Sequence, residues 1–204
     1  MRRLVFFGWV GCLLLTPVQA RADETVVVCY HYDCAAQAEV VYSEARLENV
    51  RQWLFYAEDA ATERRILAGV MAKLYRWAGE QSPIHADKGG DYADDGVEGR
   101  MDCLDHSATT TRLLKMLEAR GWLRFHRVIE PVRRREALGL LQHFSAAIEA
   151  LPGRLGPWRL SVGLKGAAAV PSEKFVVDTW FHDHGEPAEV MPLQRWLDGE
   201  GPNV

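Results

Sequence analysis

Long apolar runs are nearly absent from this 204-residue chain. The most extended, Leu4 to Leu15, falls well short of the roughly 20 residues a bilayer core requires, which argues against a transmembrane anchor. It follows Arg2-Arg3 and precedes Pro17 and the small-residue pattern Ala20-Arg21-Ala22, which together have the charge, length and cleavage pattern of a secretory signal peptide. Residues 1–22 are therefore expected to be removed, leaving 23–204 in a periplasmic or secreted protein with no stable membrane insertion.

Cysteine is scarce too, with four in the whole chain. Cys12 lies inside the apolar run with Leu13 to Leu15 after it, a poor position for lipidation, so Cys29, Cys34 and Cys103 remain. In an oxidising compartment two near neighbours are expected to pair and the odd one to stay free. Cys29-Tyr-His-Tyr-Asp-Cys34 can close a small loop, but spacing does not fix the geometry and the pairing stays open at this level. Cys103 is then the odd thiol, and an unpaired cysteine outside the cytosol needs a reason to be there.

A surplus of positive charge is missing as well. Cleavage at residue 22 takes three arginines from the 24 basic residues and none of the 28 acids, leaving a net charge of −7. That balance excludes nucleic acid as the expected partner. Repeats, linkers and low-complexity tracts are also lacking, so the length points to one domain over 23–204.

What is present centres on Gly99 to Gly121. A polar, Gly-rich loop runs into a helix, with Asp102 as N-cap, Asp105 as a first-turn acid and Gly121 closing the helix after Arg120. Cys103 stands in the first turn and shares a face with Thr110, Leu114 and Leu117. Backbone N–H groups at such a terminus favour thiolate, whereas the flanking aspartates oppose it.

Along the chain, Thr25 to Cys29 and Glu39 to Ser43 have strand character. Leu47, Val50, Leu54 and Ala57 step at helical spacing, as do Ile66, Leu67, Val70, Met71, Leu74, Trp77 and Ala78 over 59–79. Trp53, Tyr75 and Trp77 are expected to be packing groups. Gln81 to Gly99 has turn chemistry and is expected to be a loop with solvated acids; Asp87, Asp91, Asp94, Asp95 and Glu98 are an alternative set for a hard cation such as calcium, but the ligand order of an EF-hand is absent. Strands are expected over 122–132, 142–150 and 174–181, with Arg133-Arg134-Arg135 in a solvated turn. Residues 151–173, rich in Gly, Pro and Ala, form an expected insertion with a strand at 158–162, and a short helical turn is expected over 192–197.

Cys103 at a helix start, His143 near a strand start and Asp178 within an apolar strand fit a nucleophile, a general base and an orienting carboxylate. The chemistry needs the thiol to lose its proton to an imidazole within hydrogen-bond reach, and the imidazole to be held in one tautomer by an acceptor on its other nitrogen. A carboxylate in Phe175-Val-Val-Asp-Thr-Trp-Phe181 is expected to be partly buried, which is costly unless a partner compensates it.

Asp102-Cys-Leu-Asp-His-Ser-Ala108, Gln142-His-Phe-Ser-Ala146 and Val177-Asp178 resemble the transglutaminase-like superfamily, with bacterial transglutaminase-like cysteine proteinases the nearest pattern. The likeness covers roughly residues 99–181. It implies an α+β, papain-like core with N-terminal helices packed on an antiparallel sheet and the nucleophile at a helix N-terminus. It further implies cleavage or transfer of an acyl group at an amide bond through a thioester, with Cys103 as nucleophile, His143 as base and Asp178 as orienter. The substrate is not readable from the sequence: a protein, a peptide, a peptidoglycan peptide and a small amide all stay open. No cofactor is required by this chemistry, but the resemblance implies calcium as a candidate ligand of Asp102 and Asp105. Leu104 stands where that family often carries an acid, and the interval from His143 to Asp178 is longer than usual. One oxyanion donor is expected to be the Cys103 N–H.

Two other readings compete. Cys103-x-x-His106 and His182-Asp-His184 have ligand-like spacing for zinc, which would make the protein a metal-dependent hydrolase. A non-catalytic exported binding module could instead keep the same fold.

Overall fold

The computed structural model describes residues 22–136, 141–152 and 173–202, so the expected signal peptide and the strand at 158–162 lie outside the described residues. Its elements are mixed α and β, with both sheets antiparallel, an α+β arrangement.

Strands β1 (Glu24–Tyr30) and β2 (Ala36–Tyr42) form a two-stranded ladder running from Glu24↔Tyr42 to Tyr30↔Ala36. Two capped helices follow. Ser43 Oγ accepts the Arg46 N–H ahead of α1 (Glu44–Phe55), and Asp59 Oδ1 accepts the Thr62 N–H at 2.7 Å ahead of α2 (Ala60–Gly79). In each, a side-chain oxygen satisfies an N–H that the first turn leaves without a carbonyl partner. Leu47, Val50 and Leu54 of α1 and Leu67, Val70, Met71 and Leu74 of α2 are buried at the predicted spacing. Trp53 is a correction: it is 40% exposed, with the Lys73 ammonium over its ring, while Tyr75 is buried as expected and Trp77 packs partly buried on the core.

Helix α3 (Cys103–Ala119) buries Leu113, Leu114 and Leu117 in the same cluster as Val26 and Val28 of β1. It ends where Gly121 takes φ +71°, with the Trp122 N–H returning to the Leu117 carbonyl; a left-handed residue after a helix favours glycine. This turn delays the next strand.

The larger sheet has the order β3-β4-β5-β6, with β3 (His126–Glu136), β4 (Leu141–Ala150), β5 (Lys174–Asp178) and β6 (Glu189–Pro192). Arg133 to Arg135 belong to β3, not to a turn, because they continue its pairing with β4 through Arg134↔His143. Arg134 is buried and donates to the carbonyls of Trp196 and Glu200. Strand β5 ends at Asp178, three residues earlier than predicted. Its alternation holds: Phe175 and Val177 join the main cluster, while Val176 packs with Cys103, Trp180 and Trp196. Strand β6, unforeseen from the sequence, pairs with β5 and leads into α4 (Leu193–Leu197).

The β4–β5 ladder is intact out to Glu149↔Lys174, and the Ala150 N–H meets the Glu173 carbonyl at 2.8 Å. The chain between 151 and 173 thus leaves and rejoins the sheet at one place, so its length does not separate His143 from Asp178.

Candidate active site

Cys103 is the first residue of α3, directly after its cap. Asp102 Oδ1 accepts the Asp105 N–H at 2.8 Å and Asp105 Oδ2 accepts the Asp102 N–H at 3.2 Å, a reciprocal capping box. The same carboxylates hold a second backbone segment. His31, Tyr32, Asp33 and Cys34 all have φ between 52° and 71°, a left-handed run of non-glycine residues, each costing about 1–2 kcal/mol. Asp105 accepts the N–H groups of Tyr32 and Cys34, at 2.9 and 2.7 Å, and Asp102 accepts that of Asp33 at 3.1 Å. The Cys29–Cys34 disulfide closes the turn, fulfilling one of the two outcomes the spacing allowed.

This setting tests calcium binding. All four carboxylate oxygens of Asp102 and Asp105 already accept backbone N–H groups beside the positive end of a helix. Such donors suit anions, so the pair does not fit a resident cation and no chemistry is derived through one.

The Cys103 sulfur rests on β4, beyond the end of its described pairing with β5 at Ala146↔Val177. Sγ lies 3.7 Å from the Gln142 carbonyl oxygen and accepts the Phe144 N–H, so it is held by the backbone on both sides of His143. Burial pushes the thiol up to about 11, against the Phe144 N–H; the charges of Asp102 and Asp178 add to the rise. A protonated thiol at neutral pH therefore needs a base to react.

His143 is fully buried, its ring centroid 4.8 Å from that of Trp180, 5.2 Å from Phe181 and 5.5 Å from Trp196. Its Nε2 lies 2.7 Å from Asp178 Oδ2. Extending the β4–β5 register by one step puts Asp178 opposite Ser145, so His143 is the diagonal neighbour on that face. Asp178 also accepts the Trp196 indole N–H on Oδ2 at 2.9 Å and the Trp180 backbone N–H on Oδ1 at 3.2 Å. Three donors compensate the burial of this carboxylate.

Among the described residues three histidines are paired with buried acids, and they differ in their second nitrogen. His126 Nδ1 meets Glu63, and Arg64 lies 3.1 Å from its Nε2. His106 Nε2 meets Asp87, and its Nδ1 lies 2.9 Å from Thr179 Oγ1. His143 Nδ1 is buried with no hydrogen-bond partner, so the Cys103 thiol, which lies against the Gln142 carbonyl, is not hydrogen-bonded to it here. Its ring alone among the three keeps a nitrogen available, and it lies on the strand against which the free thiol rests.

The zinc ligand sets do not assemble. Both nitrogens of His106 have protein partners, and His182 faces Glu189 at 3.9 Å. Among the described residues the one group of three metal-ligating atoms close together is Cys29, Cys34 and Asp105, whose sulfurs are bonded to each other. The acidic loop also differs from expectation. It includes a 3-10 turn, Pro83–Ala86, and Asp87 is 2% exposed, accepting the Met101 N–H and facing His106. Thr179 and Trp196 carry no signal in the sequence, since neither lies in a periodic pattern and only their distant partners reveal them, whereas Asp87, one of the loop acids weighed for a cation, pairs with His106.

Comparison with models of protein families, with curated proteins and with solved structures gave no match to this chain.

Proposed function

We propose that this chain is an exported thiol enzyme of transglutaminase-like type, with a papain-like arrangement of nucleophile and base, acting on an amide bond. The observation that carries the reading is the unpartnered Nδ1 of His143, with Nε2 committed to Asp178 and Cys103, the one unpaired cysteine among the described residues, held on the same strand. His143 Nδ1 takes the proton from Cys103 as sulfur bonds to the carbonyl carbon. The imidazolium, stabilised by Asp178, returns the proton to the departing amine as the C–N bond breaks, leaving a thioester. Water or a second amine then attacks the thioester and releases the thiol, giving hydrolysis or transfer. The Cys103 N–H at the start of α3 supplies one donor for the oxyanion.

The substrate class is a protein, peptide or peptidoglycan peptide. An open cleft of about 630 Å³, lined by Phe181, Asp183, Glu186 and Glu189 among others, adjoins the His143 ring through Phe181. The Cys29–Cys34 disulfide supports export to an oxidising compartment.

A non-catalytic binding module draws support from the low exposure of Cys103, 9%, and its raised thiol. Alkylation by iodoacetamide near pH 6 separates the two, because an ordinary thiol is almost wholly protonated there. The enzyme reading expects Cys103 to react faster than a simple thiol and to lose that advantage in His143→Ala. A wild-type rate no faster than the simple thiol rejects it.

A further inference from the structure

We infer that His106 is a positioning residue for Cys103, clamping the nucleophile's helix to the residue that follows Asp178. The inference rests on the reading of Cys103 as nucleophile.

His106 lies one helical turn after Cys103, 3% exposed, its ring stacked on Tyr75 with centroids 5.8 Å apart. Nδ1 is 2.9 Å from Thr179 Oγ1 and Nε2 is 2.9 Å from Asp87 Oδ2. Asp87 Oδ1 in turn accepts the Met101 N–H at 2.8 Å, two residues before the nucleophile. Thr179 Oγ1 is also 2.9 Å from Thr110 Oγ1, which lies 2.8 Å from the Tyr75 hydroxyl.

Thr179 Oγ1 also lies 3.2 Å from the Tyr75 hydroxyl, so this one hydroxyl meets His106, Thr110 and Tyr75, and the cluster ends on the Asp87 carboxylate with a partner for each polar group. In a buried setting a half-satisfied network is costly, so the complete one holds its members to one geometry. The titratable groups facing His106 are Asp87, Tyr75 and His184.

The clamp joins the three pieces of backbone that matter for the reaction. Met101 fixes the entry to the capped helix, His106 and Thr110 fix its first two turns, and Thr179 fixes the end of the strand carrying Asp178. Since Asp178 orients His143, the clamp sets how the Cys103 sulfur meets the imidazole without touching a reacting atom. Neither of the other buried histidine–acid pairs links the nucleophile's helix to this strand: His126 ties Glu63 to the start of β3, and His143 is the base itself.

The test uses Thr179→Val, which keeps shape and removes the hydroxyl, and His106→Gln. The iodoacetamide rate at Cys103 is measured across pH in the whole mature chain, with thermal unfolding alongside. Both variants are expected to lose roughly 10- to 100-fold of the rate near pH 6, the scale of a small misplacement of reacting groups. They should approach wild type at high pH, where thiolate forms without a base. Loss of stability with an unchanged pH profile in Thr179→Val overturns the inference and leaves a structural network. If His106→Gln does not fold, Thr179→Val decides alone. A wild-type profile like that of a simple thiol instead rejects the nucleophile reading, and this inference falls with it.

Discussion

Trp196 donates its indole N–H to the same Asp178 oxygen that faces His143 Nε2, so a side chain of the C-terminal helix completes the setting of the carboxylate. Both Trp196 and Asp178 are buried, and Arg134 stacks over the indole while donating to the Trp196 carbonyl.

The indole is therefore expected to matter beyond packing. Trp196→Phe keeps an aromatic ring and deletes the donor. A hydrogen bond to a charged group contributes about 1.5–3 kcal/mol, and a loss in that range is expected in urea unfolding. A double-mutant cycle with Asp178→Asn isolates the bond. Additive losses would mean that the indole contributes volume alone.

The raised Cys103 thiol makes a prediction about alkaline stability. Its folded value of about 11 lies above the roughly 8.5 of an exposed thiol. The folded state holds this proton more tightly, so the contribution is complete below pH 8.5 and is lost as pH rises towards 11. Unfolding measured from pH 8 to 10.5 should show wild type losing more stability than Cys103→Ala. Parallel curves would place the sulfur in a more polar setting than its burial indicates.

The left-handed turn at 31–34 should depend on its cross-link. Closing so short a loop contributes about 2 kcal/mol by chain entropy, and four residues of positive φ must also be held. Cys29→Ala combined with Cys34→Ala is expected to lower stability by at least that amount. It should also speed hydrogen exchange at the Tyr32 amide, which Asp105 accepts. Unchanged exchange would show that the carboxylates hold the turn unaided.

Gly99 is a position no other residue should fill. Its φ is +84°, and a Cβ there would stand 2.1 Å from the Pro83 carbonyl oxygen. Gly99→Ala, which would stabilise a compatible site by up to about 1 kcal/mol, should here destabilise by more than that and displace the chain leading into Met101. Thermal unfolding checks the first effect and Cys103 alkylation near pH 6 the second. Wild-type behaviour in both would mean that the loop has another path.

Much of the frame was legible because short-range rules produce it. Asp102 caps the helix it precedes, as expected, and the spacing of Leu47, Val50 and Leu54 predicts the buried face, while the Ser43 and Asp59 caps emerged with the structure. The pairing of Cys29 with Cys34, left open by spacing, depends on the left-handed path of the turn between them. Arg134 departs from the solvated turn that a run of arginines favours, because a β4 partner and two carbonyl acceptors reverse that preference. Asp87 departs likewise, since its acid-rich neighbours say nothing of the histidine and backbone N–H that bury it.

By itself the sequence determined the kinds of side chain available for chemistry and the elements carrying them: a thiol at a capped helix start, an imidazole on a strand, a carboxylate in an apolar strand. These follow from capping and periodicity, which act over a few residues. Only the tertiary structure decided which of the three histidines paired with buried acids keeps an open nitrogen. His106, His126 and His143 each sit beside an acid, and partners from distant segments occupy the remaining nitrogen of the first two and leave that of His143 free. That distinction arises from packing across the whole chain.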